Sequence, residues 1–247
     1  MKHSLLITAL IALLARPSAA EVKLPAFFSQ GMVLQQQSQV RLWGWCDQLG
    51  HGTPRKQVTV TTSWDGKTYT THSDHDGRFE VTVTTPAAGG PFHIAFSDGH
   101  QLLLSNILIG EVWLCGGQSN MRMAVASVRD AREEIRRADS YPQIRLLRVE
   151  TTPAATPQTT LHAADGGWQV CSAKTIPAFS AAAYFFGRTL TEQLEGNIPI
   201  GLIESCLGST FAEPWVSADA LRQMPYFHQA IEKVATMPTD SLEREKR

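Results

Sequence analysis

The sequence predicts an α/β protein in which a parallel sheet with helical crossovers follows an N-terminal all-β sandwich. Three observations carry this. Short β-branched runs separated by Asp-Gly and Gly-Gly-Pro turns fill residues 22–104. A nearly continuous apolar run, Ile107 to Cys115, opens the second part. Strand-like and helix-like segments alternate from there to about residue 203.

The strands of the first part are read in order. Val40-Arg41-Leu42-Trp43-Gly44-Trp45 alternates weakly, and Val58-Thr59-Val60-Thr61-Thr62 is rich in β-branched residues. Asp65-Gly66 turns the chain into Thr68-Tyr69-Thr70-Thr71, and Asp76-Gly77 turns it into Phe79–Thr84. Gly89-Gly90-Pro91 leads into Phe92–Phe96. The rhythm then changes. An apolar run such as Ile107–Cys115 fits a strand covered on both faces. Ser119 onward, through Val125, Val128 and Ile135, predicts one helix. Ile144–Val149 reads as a strand and 151–167 as loop. Ser180 caps a helix through Tyr184, Leu190 and Leu194 that Gly196-Asn197 stops. Ile198–Ile203 is a third strand, which makes the sheet parallel with right-handed crossovers. Asp240–Arg247 is charged and expected to fray.

The N-terminus has the pattern a signal peptidase reads. Lys2 and His3 precede the apolar run Leu5–Leu14, and Ser18-Ala19-Ala20 supplies small residues before Glu21. The run is too short to span a bilayer comfortably. The expected division is therefore a signal at 1–20, a β-sandwich at 21–104 and an α/β part at 105–247. The mature chain would be exported, periplasmic or extracellular. Of 247 residues, 18% are charged and the net charge is −1. No basic stripe exists to draw in nucleic acid or anionic lipid, and no membrane span is expected. Export permits disulfides among Cys46, Cys115, Cys171 and Cys206, in three possible full pairings. The absence of a Cys-x-x-Cys pair argues against structural zinc.

Ser119 is the leading candidate for chemistry. It would sit where a parallel strand turns into a helix, the side on which open α/β sheets bind ligands. Such a turn offers unpaired backbone N–H groups for an oxyanion, and the glycines before it let substrate approach. A simple helix cap explains the serine equally well. The segment lacks the Gly-x-Ser-x-Gly pattern of the α/β-hydrolase elbow. Cys115, next to this loop, is either a nucleophile or, as small apolar-flanked cysteines more often are, part of the core. His72-Ser73-Asp74-His75-Asp76-Gly77 holds metal-capable side chains, yet its Asp-Gly favours a hairpin turn. Arg132, Glu133, Glu134, Arg136 and Arg137 read as a solvated helix face. Trp43, Trp45 and Trp64 either stack on sugars or, more simply, fill the sandwich.

The stretch Ile109-Gly110-Glu111-Val112-Trp113-Leu114-Cys115-Gly116-Gly117-Gln118-Ser119-Asn120-Met121 closely resembles the first block of the sialate O-acetylesterase family, within the SGNH hydrolase superfamily. Phe186–Leu190 and Pro199–Trp215 are similar to the family's second block. Met32-Val33-Leu34-Gln35 and Gly90-Pro91-Phe92 look like its β-domain. The resemblance implies an SGNH-type α/β/α sandwich, partial here, and a serine esterase acting on acetylated carbohydrates without metal or organic cofactor. Ser119 would be the nucleophile, with its own N–H and that of Gly208 donating to the oxyanion. Gln118, Asn120, Thr210 and Glu213 would contact substrate or shape the loops, and Trp215 would stand with Glu213 near the pocket.

The chain also departs from the pattern. The family's Ser-Trp-Gly-Gly-Thr is matched here by Cys206-Leu207-Gly208-Ser209-Thr210, which replaces a Trp and puts a serine where the loop would favour glycine. The family's Gln-Gly-Glu block and its late Asp-x-x-His block do not occur in these residues. Only His162 and His228 follow Ser119, and both read as ordinary histidines. The leading expectation is an exported carbohydrate O-acetylesterase using an acetyl-enzyme. The alternatives are an inactive, poorly soluble fragment of such an enzyme and a carbohydrate-binding remnant confined to residues 21–104.

Overall fold

The structure, a computed structural model, describes residues 22–46, 55–152 and 158–236. The expected signal at 1–20 and the charged tail at 240–247 lie outside the described residues.

The N-terminal strands follow the residue pattern closely. They are β1 (Val33–Gln35), β2 (Gln39–Trp45), β3 (Gln57–Thr62), β4 (Thr68–His72), β5 (Arg78–Thr84) and β6 (Gly89–Ser97). Alternation decides which side is buried. In β3, Val58, Val60 and Thr62 are buried while their neighbours are less so. β2 and β5 form a two-stranded antiparallel sheet with Leu42 opposite Val81. Leu42, Phe79, Val81 and Val83 pack with Val58, Val60, Ile94 and Phe96 in one apolar core.

β7 (Gln101–Gly117) links everything else. Its first half is antiparallel to β6, through the Ile109–Gly89 pair. Its second half, Glu111–Gly117, is parallel to β10 (Ile200–Cys206). β8 (Ile144–Arg148) lies parallel on the far side of β10, and β9 (Gln169–Val170) is antiparallel to β8. The hydrogen-bonded order is β4-β3-β6-β7-β10-β8-β9, with β1 parallel to β7 at Leu108–Gly110. Position 104/105, where the rhythm of the sequence changes, falls inside β7, so residues on both sides of it share one sheet. The switch of partner strands needs Gly110. A Cβ there would lie 2.0 Å from the Pro199 carbonyl oxygen, which accepts the Glu111 N–H at 2.9 Å.

The helices are α1 (Ser119–Arg122), α2 (Ala131–Arg137), α3 (Ala181–Gln193), α4 (Ala218–Leu221) and α5 (His228–Ala235). Ser180 Oγ accepts the Ala183 N–H at 3.1 Å and caps α3 as expected, an interaction worth about 1 kcal/mol. α3 covers one face of the parallel strands, where Tyr184, Ile144, Leu146, Ile200 and Leu202 form a second core. Leu147 and Trp168 instead join the first core, with Val112 and Ile203 packed against it. β8 and β10 are thus covered on both faces, as their apolar sequence requires, whereas the end of β7 departs from the covered strand expected there, with Trp113 and Leu114 exposed. Arg145 also ties the two parts together, donating to the Gly31 carbonyl and to Asn106 Oδ1 at 3.2 Å each.

Two expectations need correction, and two short strands went unread. The single helix from Ser119 to Ile135 is broken into α1, a 3₁₀ turn at Val125–Ser127 and α2. The cause is pairing in trans to the segment. Val125 N–H donates to the Phe179 carbonyl and Ala181 N–H to the Met123 carbonyl, and these bonds hold Ala124 extended against Ser180. Glu134 is not on a solvated face: it is buried and ion-paired with Arg188 of α3. The short strands β1 and β9 carry too few residues for an alternation signal.

Candidate active site at the end of strand β7

β7 ends in Gly116-Gly117 and delivers Ser119 to the first position of α1. Gly117 has φ +146°, where a side chain is rarely tolerated, and this sets the sharp exit from the strand. Ser119 is exposed at the carboxyl side of the parallel strands.

The Ser119 hydroxyl has two partners. It donates to Gln118 Oε1 at 2.6 Å, and it accepts a long contact, 3.4 Å, from the Ser209 N–H. Gln118 Oε1 also accepts the Ser119 N–H at 2.7 Å. One side-chain oxygen therefore occupies both groups that would attack and stabilise a carbonyl. Gly208 lies against the serine, since a Cβ there would be 3.8 Å from Ser119 Oγ. The Leu207 N–H to Gly117 carbonyl bond, 3.0 Å, locks the second loop beside the first. The structure thus brings Gln118, Ser119 and Gly208 together, and adds the Ser209 amide. Ser209 takes φ +63°, the conformation glycine would favour.

The remaining sequence-derived residues serve the loop. Thr210 Oγ1 donates to the Leu207 carbonyl at 2.9 Å and accepts the Trp215 Nε1–H at 3.0 Å. Glu213 opens the 3₁₀ turn Glu213–Trp215. Asn120 is exposed on α1. His162 is exposed, and its carbonyl accepts the Glu150 N–H. His228 Nε2 lies 2.7 Å from the Arg222 carbonyl oxygen, at the start of α5. Among the described residues neither histidine is hydrogen-bonded to Ser119.

Sequence reasoning missed the support beneath the serine. Glu204 is a buried carboxylate in the middle of an apolar strand. Its Oε2 accepts the Ser180 N–H at 2.8 Å. Ser180 Oγ in turn lies 3.4 Å from Met121 Sδ, and Met121 Cβ packs 3.3 Å from where a Gly117 Cβ would stand. Burial raises the Glu204 pKa above its usual range, opposed by the Ser180 N–H, the Cys206 thiol, Arg148 and Arg122. The available signal was a lone acid directly after the predicted strand Ile198–Ile203, which the structure extends through Cys206, since buried carboxylates are rare unless paired. Arg122 was also overlooked. Its Cδ lies 3.9 Å from the position of a Gly208 Cβ.

Cys115 is buried, and burial together with Glu204 pushes its thiol up to about 11, so it stays protonated and suits the core reading. Cys115, Cys171 and Cys206 are not joined to one another by disulfides. Asp74 Oδ1 accepts the N–H groups of Asp76 and Arg78, so the His72–Gly77 segment is organised as a turn. Trp43 packs edge-on against Phe27 and Phe28, and Trp64 against Phe92, as core residues do.

No family model matches the chain. It is 29% identical to the sialate O-acetylesterase of Pongo abelii over 92% of its own length and 44% of the relative's. The sialate O-acetylesterase of Homo sapiens gives the same identity and the same shares. The fold is similar to that of a carbohydrate acetylesterase from Xanthomonas citri, with a TM-score of 0.73 and 30% identity over 83% of this chain and 44% of that one. The resemblance read from the Ser119 segment thus extends over nearly the whole chain, which spans less than half the length of the relatives it matches.

Proposed function

We propose that the chain carries the nucleophile and oxyanion-binding part of a serine-dependent carbohydrate O-acetylesterase. The observation that carries this reading is the position of Ser119, at the carboxyl end of β7 with the Gly208-Ser209 loop closed onto its hydroxyl. The similarity to sialate O-acetylesterases and to a carbohydrate acetylesterase supports the substrate class.

In this mechanism Ser119 Oγ attacks the acetyl carbonyl, and its proton passes to a base. The carbonyl oxygen becomes an oxyanion facing the amides of Ser119 and of the Gly208-Ser209 loop. Collapse, with the base handing that proton to the leaving oxygen, expels the sugar hydroxyl and leaves an acetyl-enzyme. Water, deprotonated by the same base, then releases acetate. Before attack, Gln118 Oε1 has to leave the Ser119 amide and hydroxyl. Export of the mature chain is part of the proposal and is supported by the residue pattern of positions 1–20.

A second reading comes from the serine itself. Its hydroxyl donates a hydrogen bond to Gln118 Oε1 rather than to a base. The described residues alone would then hold an unactivated nucleophile, and turnover would need a base from elsewhere.

The test is acetate release from p-nitrophenyl acetate and from O-acetylated sugars by the full gene product. Ser119→Ala is expected to lower turnover by about 10³-fold or more. Undiminished turnover in that variant overturns the assignment. A wild-type protein with no turnover at all favours the second reading.

A further inference from the structure

Beside the serine loop, the carboxyl ends of β8 and β10 flank a cleft of about 210 Å³. Its apolar wall is Trp215, 43% exposed, with Leu207 beside it. The indole does not swing freely. Its Nε1–H is held by Thr210 Oγ1 at 3.0 Å, and its ring lies over Gly116, where a Cβ would be 3.9 Å from Cζ3. Much of the remaining lining is polar: Glu150, Thr151, Thr152 and Ser205 contribute to it, and their side chains make no hydrogen bond among the described residues. The Leu207 N–H to Gly117 carbonyl bond couples this cleft to the turn that carries Ser119.

A fixed aromatic face sharing a cleft with several uncommitted hydroxyl and carboxylate groups is the complement of a sugar ring. C–H faces of the ring pack on the indole, and its hydroxyls meet the polar wall. Charge narrows the choice further. Glu150 is the one charged residue among the described lining groups. Arg148, the last residue of β8, is already engaged by Asp165 at 2.8 Å, and Arg122, whose charge reaches Cys206, is not among the lining residues. A carboxylated sugar would bring its anion toward Glu150 with no cation on the cleft wall to receive it.

We propose that this cleft is a subsite for a neutral pyranose ring, adjoining the acetyl group presented to Ser119. The inference rests on the esterase reading for the role of the cleft, but the binding it describes does not require turnover. Trp215 and Glu150 are its specificity determinants. Trp215 supplies the stacking face, and Glu150 hydrogen-bonds ring hydroxyls while repelling anionic sugars.

The experiment uses the full chain with Ser119→Ala, so that nothing is consumed. Methyl β-D-xylopyranoside is the neutral probe and N-acetylneuraminic acid the anionic one. The Trp215 indole N–H resonance, assigned by its loss in Trp215→Phe, is followed by NMR during titration. The xyloside is expected to shift that resonance and to bind more tightly than N-acetylneuraminic acid. Trp215→Ala is expected to weaken xyloside binding by about tenfold, the worth of one aromatic face. Thr210→Val, which leaves the serine loop its backbone and frees the indole, should weaken it less. Glu150→Gln is expected to improve binding of N-acetylneuraminic acid severalfold. Equal or tighter binding of the anionic probe, or a Trp215 resonance unmoved by the xyloside, overturns the proposal. The two readings fail separately. Wild-type turnover that depends on Ser119 without xyloside binding removes only the subsite, whereas xyloside binding with turnover indifferent to Ser119→Ala removes only the esterase.

Discussion

Gln118 Oε1 accepts hydrogen bonds from both the N–H and the hydroxyl of Ser119, at 2.7 and 2.6 Å. A single oxygen thereby fills the position in which a substrate's developing oxyanion would seek the same amide. Its removal should have two opposite effects. Gln118→Ala loses the cap on α1 and is expected to cost about 1 kcal/mol, seen as a fall of about 2–4 °C in Tm. The same change frees the serine, so p-nitrophenyl acetate turnover per molecule is expected to rise. Turnover at or below the wild-type rate would show that Gln118 shapes the loop without obstructing it.

Ser209 holds φ +63° while its N–H points at Ser119 Oγ. For a residue with a Cβ this conformation costs about 1–2 kcal/mol, against which glycine's extra freedom in the unfolded chain sets about 0.5–1. Ser209→Gly is therefore expected to stabilise the protein by about 0.5–1 kcal/mol in urea unfolding. Destabilisation would mean that neighbouring contacts hold Ser209 in place without strain.

Glu204 supplies a pH signature. Burial raises its folded-state pKa, so the folded protein holds the proton more firmly than the unfolded chain does. The stabilisation from that proton is complete below the ordinary glutamate range, about pH 4.3, and is lost as pH rises through the folded pKa. Glu204→Gln keeps an acceptor for the Ser180 N–H and removes the charge. Its stability is expected to match or exceed the wild type at pH 7 and to vary less with pH from 4 upward. Glu204→Ala, which strands the buried Ser180 N–H, is expected to lose about 1–3 kcal/mol. A wild-type and Gln pair with parallel pH profiles would remove this account of Glu204.

Leu114 marks an open edge. Leu108 N–H donates to the Met32 carbonyl and the Gly110 carbonyl accepts the Gln36 N–H, so even-numbered residues of β7 face β1. Glu111 N–H and the Gly117 carbonyl are used on the opposite edge, toward β10. Beyond Val112, whose N–H is met by Gln35 Oε1 at 3.0 Å, no described strand is registered against the even-numbered edge. Leu114 is 72% exposed there and Trp113 42%. Uncovered apolar edges promote association. Leu114→Lys is expected to raise the monomeric fraction in size-exclusion chromatography while changing stability by less than about 0.5 kcal/mol. An unchanged elution profile would show that this edge does not drive association.

Much of this could be read from the residues. Alternation in Val58–Thr62 located β3 and its buried side, and the Ser180 cap located the start of α3. These are local effects, settled by neighbours a few positions away. The helix expected from Ser119 to Ile135 failed for a non-local reason. Phe179 and Ala181, more than fifty residues on, offer backbone partners that outweigh helical propensity at Val125 and Met123. Glu134 likewise has a charged, solvated signature until Arg188 reaches it from α3.

The Ser119 segment by itself determined the strand-to-helix turn and the resemblance to sialate O-acetylesterases, because both depend on consecutive residues: a covered strand, two glycines and the serine. Tertiary structure alone decided what the serine meets. Gln118 adjoins it in sequence, yet its carboxamide meets the serine only in the conformation Gln118 takes as the N-cap of α1, φ −108° and ψ −141°. The Ser209 amide arrives from ninety positions away because β10 pairs in parallel with β7 and ends beside it. The buried Glu204 beneath them is stabilised by a backbone N–H from the cap of α3. Each of these depends on how strands register and loops close, which no stretch of consecutive residues encodes.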